Sequence, residues 1–137
     1  LEFRRVLFRS AAWPDALRYV NPMWGGMAAG YRVVSDSNYD WGQGLPELEE
    51  WRRRKGARVS VWYFGTDTRF ADIERINPRL PEFDPAALNG RVLAVSTSLI
   101  SGGYLETPGP ARDFVQRLRA RTPVDRTSTF LLYDNVR

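Results

Sequence analysis

Between positions 35 and 43 the chain reads Ser-Asp-Ser-Asn-Tyr-Asp-Trp-Gly-Gln, which sets the oxygen-bearing side chains of Asp36, Asn38 and Asp40 at alternate positions. Three chemistries use such a pattern. A calcium loop takes ligands from its first, third, fifth and twelfth positions, here Asp36, Asn38, Asp40 and Glu47. Its sixth position calls for glycine and here is Trp41, and a strand, not a helix, leads in. Paired carboxylates also divide acid and base roles in glycoside hydrolysis, with Asp36 beside Asp40 or Asp67 and Trp41 as a platform for a sugar ring. The third chemistry is structural, because Asp, Asn and Ser satisfy nearby backbone donors in bends and at helix starts.

The elements that must position this stretch are legible on both sides of it. Residues 31–35 read as a short buried strand leading in. The helix leading out has Pro46 in its first turn and Glu47, Glu49 and Glu50 near its start. Arg52, Arg53, Arg54 and Lys55 crowd its end, and Gly56 stops it. Leu45, Leu48 and Trp51 form its apolar stripe, and the basic run is read as a complement to the helix dipole. Residues 58–64 are β-branched and aromatic, a strand closed by Gly65. A short helix is expected over 68–76, a rigid proline-rich connection follows, and one further helical turn is expected over 86–89.

Residues 91–98 form a nearly continuous apolar run and read as a central strand. A long loop over 101–110 leads to a helix opened by Pro110, with Phe114, Val115 and Leu118 inward, and 127–133 read as a last strand. This order predicts a three-layer α/β domain with a mostly parallel sheet of about four strands and flanking helices. Ligands in such sheets sit beyond the carboxyl ends of the strands. That rim would gather Asp36, Asn38, Asp40, Trp41 and Gln43 with Thr66, Asp67 and Ser96, as a ligand-binding or a structural loop cluster.

Composition narrows the chemistry. The chain has 137 residues, 43% hydrophobic and 13% aromatic, enough for one domain with a real core. It has no cysteine and no histidine, which excludes disulfides, thiolate metal sites and imidazole catalysis within this chain. Five tryptophans suit a core, a sugar platform or a membrane interface equally. Half of the +4 net charge lies in residues 1–10, so the remainder gives no reason to expect nucleic acid as a partner. Residues 1–10, with the run Phe-Arg-Arg-Val-Leu-Phe-Arg-Ser over 3–10, look like a translated adaptor or vector scar and are expected to lie outside the fold. No apolar run is long enough to span a bilayer.

The segment Tyr31-Arg-Val-Val-Ser-Asp-Ser-Asn-Tyr-Asp-Trp-Gly-Gln-Gly-Leu45 resembles the signature of a soluble C-terminal domain of bacterial membrane glycosyltransferases. These enzymes are similar to the dolichyl-phosphate-mannose–protein mannosyltransferases, glycosyltransferase family 39. Tyr19-Val-Asn-Pro-Met-Trp-Gly-Gly26, Val61-Trp-Tyr-Phe-Gly65 and Phe130-Leu-Leu-Tyr-Asp134 fit the resemblance in the same order, and Gly44 departs from it where Asp is expected. The resemblance implies a domain over 31–137 on the extracytoplasmic, periplasmic side of the cell membrane. Residues 11–30 would be an aromatic and glycine-rich lead-in after a membrane region. The partner would be the membrane-embedded part of the same enzyme, and a glycan or lipid-linked sugar is a further implied ligand. That part transfers sugar from a polyprenyl-phosphate-linked donor and carries the catalytic carboxylate, so no catalytic residue and no cofactor is expected here. A divalent cation at Asp36, Asn38, Asp40 and Glu47 stays open. The alternative to the resemblance is a free-standing soluble α/β module that binds sugar or calcium, or a carboxylate-dependent glycoside hydrolase.

Overall fold

The structure, a computed structural model, describes residues 20–33, 41–67, 69–102 and 108–136. Its short opening elements are 3₁₀ turns at Pro22–Trp24 and Gly30–Arg32 around a single helical turn, α1 (Gly26–Ala29). The expected strand over 31–35 is not what its described part forms. Tyr31 and Arg32 sit in the second 3₁₀ turn, closed by Val33 N–H donating to the Gly30 carbonyl at 2.9 Å. Residues 34–40, with Asp36, Asn38 and Asp40, fall outside the described residues, as do 1–19.

Helix α2 (Leu45–Lys55) follows the sequence pattern closely. Leu45, Leu48 and Trp51 are buried, and Gly56 ends the helix in the left-handed conformation while donating to the Arg52 and Arg53 carbonyls. Its basic end is knitted to its own acid. Glu49, only 6% exposed, accepts from Arg52 at 2.7 and 2.9 Å and from Arg53 at 2.7 Å, and Arg52 reaches Asp72 at 3.1 Å. The Arg52 guanidinium, with Arg53, holds the Glu49 carboxyl below its ordinary range against the opposing effect of burial.

Among the described residues the sheet has five strands in the order β2-β1-β3-β5-β4. Strand β1 (Val59–Trp62) runs parallel to β3 (Val92–Ser96), with Val59 opposite Val92 and Trp62 opposite Val95. Strand β2 (Glu74–Arg75) is parallel to β1, where a helix over 68–76 was expected. The ladder explains the difference: Ile76 N–H donates to the Val61 carbonyl at 2.9 Å, a bond that one helical turn would leave unmade.

The sheet is also less parallel than expected. Strand β5 (Phe130–Tyr133) is antiparallel to β3 and to β4 (Asp125–Arg126). Only residues 127–129 join β4 to β5, too few for a parallel crossover. Both edge strands are two residues long and carry charge, Glu74 and Arg75 on one side and Asp125 and Arg126 on the other, which blunts them against further pairing. The apolar run over 91–98 leaves the sheet at Ser96, whose hydroxyl accepts from Ser98 N–H and opens helix α3 (Thr97–Ser101).

Period-two alternation divides the core between the two faces of the sheet. Val59, Val61, Ala94, Phe130 and Leu132 pack with Leu45, Leu48 and Trp51 of α2. Trp62, Leu93, Val95, Leu131 and Tyr133 pack with Leu99 and Ile100 of α3 and with Phe114, Val115 and Leu118 of α4 (Pro110–Arg119). The expected turn over 86–89 is a 3₁₀ turn, Pro85–Leu88, with Leu88 fully buried.

Helix α2 is tied to the far edge of the sheet by the Trp51 indole N–H, which donates to the Asp125 carboxylate at 2.8 Å. That bond, helped by Arg126 N–H, lowers the Asp125 pKa. A lowered folded pKa stabilises above the unfolded value of about 3.9, and the stabilisation is lost as pH falls through the folded value. Trp51→Phe is therefore expected to destabilise the protein by about 1 kcal/mol at neutral pH. In urea melts the gap between native and variant should narrow as pH drops below about 4; a gap independent of pH would rule out the hydrogen bond as its cause.

Candidate functional site

Of the loops expected to meet at the carboxyl ends of the strands, the described parts lie together, while residues 34–40 of the first loop fall outside the described residues. The entry to α2 (residues 41–44), the exit from β1 (63–67) and the exit from β3 (96–98) share one end of the sheet, and the β4–β5 turn (127–129) joins them. The contact is closest at two glycines. A Cβ on Gly65 would lie 2.8 Å from the Trp41 carbonyl carbon and 2.7 Å from the Tyr63 ring. A Cβ on Gly44 would lie 1.6 Å from Thr129 Oγ1 and 2.8 Å from Thr129 Cβ. Gly44 has an ordinary φ of −87°, so its need is for space and not for unusual backbone. Thr129 fills the volume that a side chain at position 44 would occupy.

The described site residues divide by what holds them. Trp41 is 55% exposed and meets the Phe64 ring edge-on at 5.4 Å, so two aromatic faces stand at the rim in water. Gln43 Oε1 accepts from Trp41 N–H at 2.7 Å, a local bond that shapes the bend. Thr66 is exposed at the tip of the second loop. Asp67 accepts from Arg69 N–H at 2.9 Å and from Arg69 Nε at 2.8 Å, and its own carbonyl accepts from the Tyr63 hydroxyl at 2.6 Å. Ser96 is buried, its hydroxyl engaged with Ser98 Oγ at 2.7 Å. The expected cluster therefore brings together Trp41, Gln43, Thr66 and Asp67 at the surface and places Ser96 beneath it. Asp36, Asn38 and Asp40 lie outside the described residues.

The electrostatics limit what these groups do. The Arg69 side chain, with its own N–H, holds the Asp67 carboxyl below its ordinary range. Asp67 is thus set to stay ionised, which suits a base or a ligand and not the general acid of a glycosidase. Glu47, the twelfth position of the calcium frame, points at the β4–β5 turn. Its two oxygens accept from Ser128 N–H at 3.0 and 3.2 Å, and Oε2 also accepts from the Ser128 hydroxyl. Among the described residues no group of three or more acidic side chains could hold a metal ion.

Several rim residues were not read from the sequence. Arg75 reaches over from β2, donating to the Gly65 carbonyl at 2.8 Å and stacking on the Tyr63 ring with its guanidinium 4.8 Å from the centroid. The Thr127-Ser-Thr129 turn supplies the seat for α2: the Thr129 carbonyl accepts from Thr97 N–H at 2.9 Å, and Thr127 Oγ1 accepts from Phe130 N–H at 3.1 Å. A polar triplet just before the apolar run 130–133 was the available signal for that turn. Compared with protein-family models, with curated proteins and with solved structures, the chain finds no match.

The close approach of Gly44 to Thr129 makes a paired test. Gly44→Ala should destabilise by about 1–3 kcal/mol, as overpacking does. Thr129→Ala removes the nearest of the clashing atoms, so in the double variant the effects should couple by at least about 0.5 kcal/mol in the favourable direction. Additive effects in denaturant unfolding would contradict the contact.

Proposed function

We propose that this chain is an extracytoplasmic accessory domain of a polytopic membrane glycosyltransferase, built as a three-layer α/β domain. The parent enzyme would take its sugar from a polyprenyl-phosphate-linked donor. The observation that carries the reading is the convergence of separate segments of the resemblance. The Trp41 carbonyl lies against Gly65, Gly44 lies against Thr129 beside Phe130, and the Tyr63 and Phe130 rings meet edge-on at 6.4 Å. Trp41 and Gly44, Tyr63 and Gly65, and Phe130, one end of each segment, thus meet at the rim, as expected if the segments are parts of a single signature. Helices on both faces of the sheet support the three-layer description.

In this role the domain is not catalytic. Its rim supplies a rigid, largely self-bonded surface, and the exposed Met23, Trp24 and Val33 supply apolar area for the membrane portion of the enzyme. A second reading, a free-standing sugar-binding module, is favoured by one observation: the exposed Trp41 and Phe64 rings at the same rim.

The two readings part on the source DNA. The accessory domain predicts, in frame before Ala11, several spans of about twenty apolar residues, and predicts that the isolated chain does not transfer sugar from a polyprenyl-phosphate donor. An upstream frame with no such span would favour the module, and turnover by the isolated chain would overturn the accessory role.

A further inference from the structure

Away from the rim, a cavity of about 470 Å³ opens beside the β4–β5 edge, on the face that α4 covers. None of its lining residues belongs to the four rim loops. Its charged lining is of one sign: Arg32 from the 3₁₀ turn, Arg119 from the end of α4, and Arg121 just beyond. Among the described residues no carboxylate lines it and none pairs with these three arginines.

Structural duty accounts for part of this charge only. Arg119 Nε donates to the Ile100 carbonyl at 2.6 Å, and Arg121 Nη2 donates to the Asn135 carbonyl at 3.0 Å. Those partners are neutral; they fix the guanidinium groups in place and leave their charge unbalanced. The carboxyl end of α4 offsets about half a unit of positive charge, and α3, only five residues long, has too few aligned peptide dipoles to offset as much. A net positive charge of about two units or more remains, enough for a phosphate monoester near neutral pH. Each guanidinium has five N–H groups in a planar fork that suits phosphate oxygens, and each of these bonds uses one of them.

The uncharged lining adds donors. The Tyr31 hydroxyl accepts from Arg32 Nε at 3.4 Å and keeps its own proton to donate. Tyr133, 3% exposed, lies at the inner wall; burial, and the neighbouring Tyr31, raise its pKa, so it stays a neutral donor. Ser101 adds a third hydroxyl. Pinned cations, neutral donors and a volume in the range of small-molecule sites make a preorganised anion cavity.

We propose that this cavity binds a phosphate-bearing anion, with Arg32, Arg119 and Arg121 as its cationic wall and the Tyr31 and Tyr133 hydroxyls as orienting donors. The proposal is independent of the accessory-domain reading. The phosphate belongs either to a free small molecule or to a lipid headgroup, and two binding arms separate these sources. In the first, inorganic pyrophosphate is titrated calorimetrically into the 137-residue chain at constant ionic strength. In the second, the chain is sedimented with vesicles of phosphatidylcholine alone or mixed with phosphatidylglycerol.

Saturable binding in either arm is expected, weakened about tenfold by Arg32→Gln and by Arg121→Gln, the size of one lost charge-assisted hydrogen bond. Arg112→Gln, on α4 but outside the cavity, should leave it unchanged. A response to pyrophosphate alone assigns a soluble ligand, and a response to the anionic vesicles alone assigns a headgroup. Arg32 and Arg121 are exposed, so both variants should keep the native circular dichroism spectrum. No saturable binding in either arm, or equal weakening by Arg112→Gln, would overturn the proposal.

Discussion

The rest of the structure depends on how closely the entry to α2 can approach the end of the sheet. That distance is set by two residues without side chains. Gly65 lets the Trp41 carbonyl lie on the β1 exit, and Gly44 lets the helix start settle on Thr129. Once α2 is seated there, its Leu45, Leu48 and Trp51 stripe covers Val59, Val61, Phe130 and Leu132, and one face of the sheet is closed. A shift of a methyl group's width at the rim would lift the first turn of α2 off that face. Packing density explains why such a small change matters: a filled interior has no slack into which the helix could move.

Polar contacts then fix what the apolar stripe alone leaves free, the rotation and tilt of α2. Glu47 binds the β4–β5 turn at the start of the helix, and the Trp51 indole binds Asp125 of β4 about one turn later. Both partners lie on the same hairpin, so α2 and the antiparallel edge behave as one unit. The opposite face is closed by α3 and α4, through Leu99, Ile100, Phe114 and Leu118. The anion cavity lies on that opposite face, where the ends of two helices meet the 3₁₀ turn carrying Tyr31. A shared sheet therefore carries a self-bonded rim and, separately, a cationic pocket whose charge the fold does not balance.

How much of this was legible in the sequence depends on whether the signal was local. Helices α2 and α4 declared themselves through the spacing of Leu45, Leu48 and Trp51 and of Phe114, Val115 and Leu118, because one helix face is a local pattern. Strands β1 and β3 were legible as apolar runs, so the sheet rule places Asp67 and Ser96 at one rim, whereas Trp41 and Gln43 reach it without the strand expected over 31–35 in its described part. Strand β2 was missed because Glu74 and Arg75 are exposed and charged, so only pairing with β1 makes them a strand. Tyr31 was read as strand from its apolar neighbours, yet its burial comes from contact with distant parts of the chain, among them the Arg126 guanidinium 6.0 Å from its ring. The role of Thr129 and the cavity arginines rests on contacts across long separations, and no window of sequence holds both partners.

The central claim is that the region from Trp41 to Glu47 is a structural joint, seated by close backbone contact and by the Glu47–Ser128 bonds, and not a cation loop. Thermal melts of native protein and of Glu47→Gln, each in chelator and in millimolar calcium, test it most directly. The account predicts that Glu47→Gln loses about 1 kcal/mol, the worth of its hydrogen bonds to Ser128, by the same amount in both solutions, and that native protein melts at one temperature in both. A calcium-dependent rise in the native melting temperature, absent in Glu47→Gln, would show that Glu47 serves a bound ion by mass action and would contradict the account.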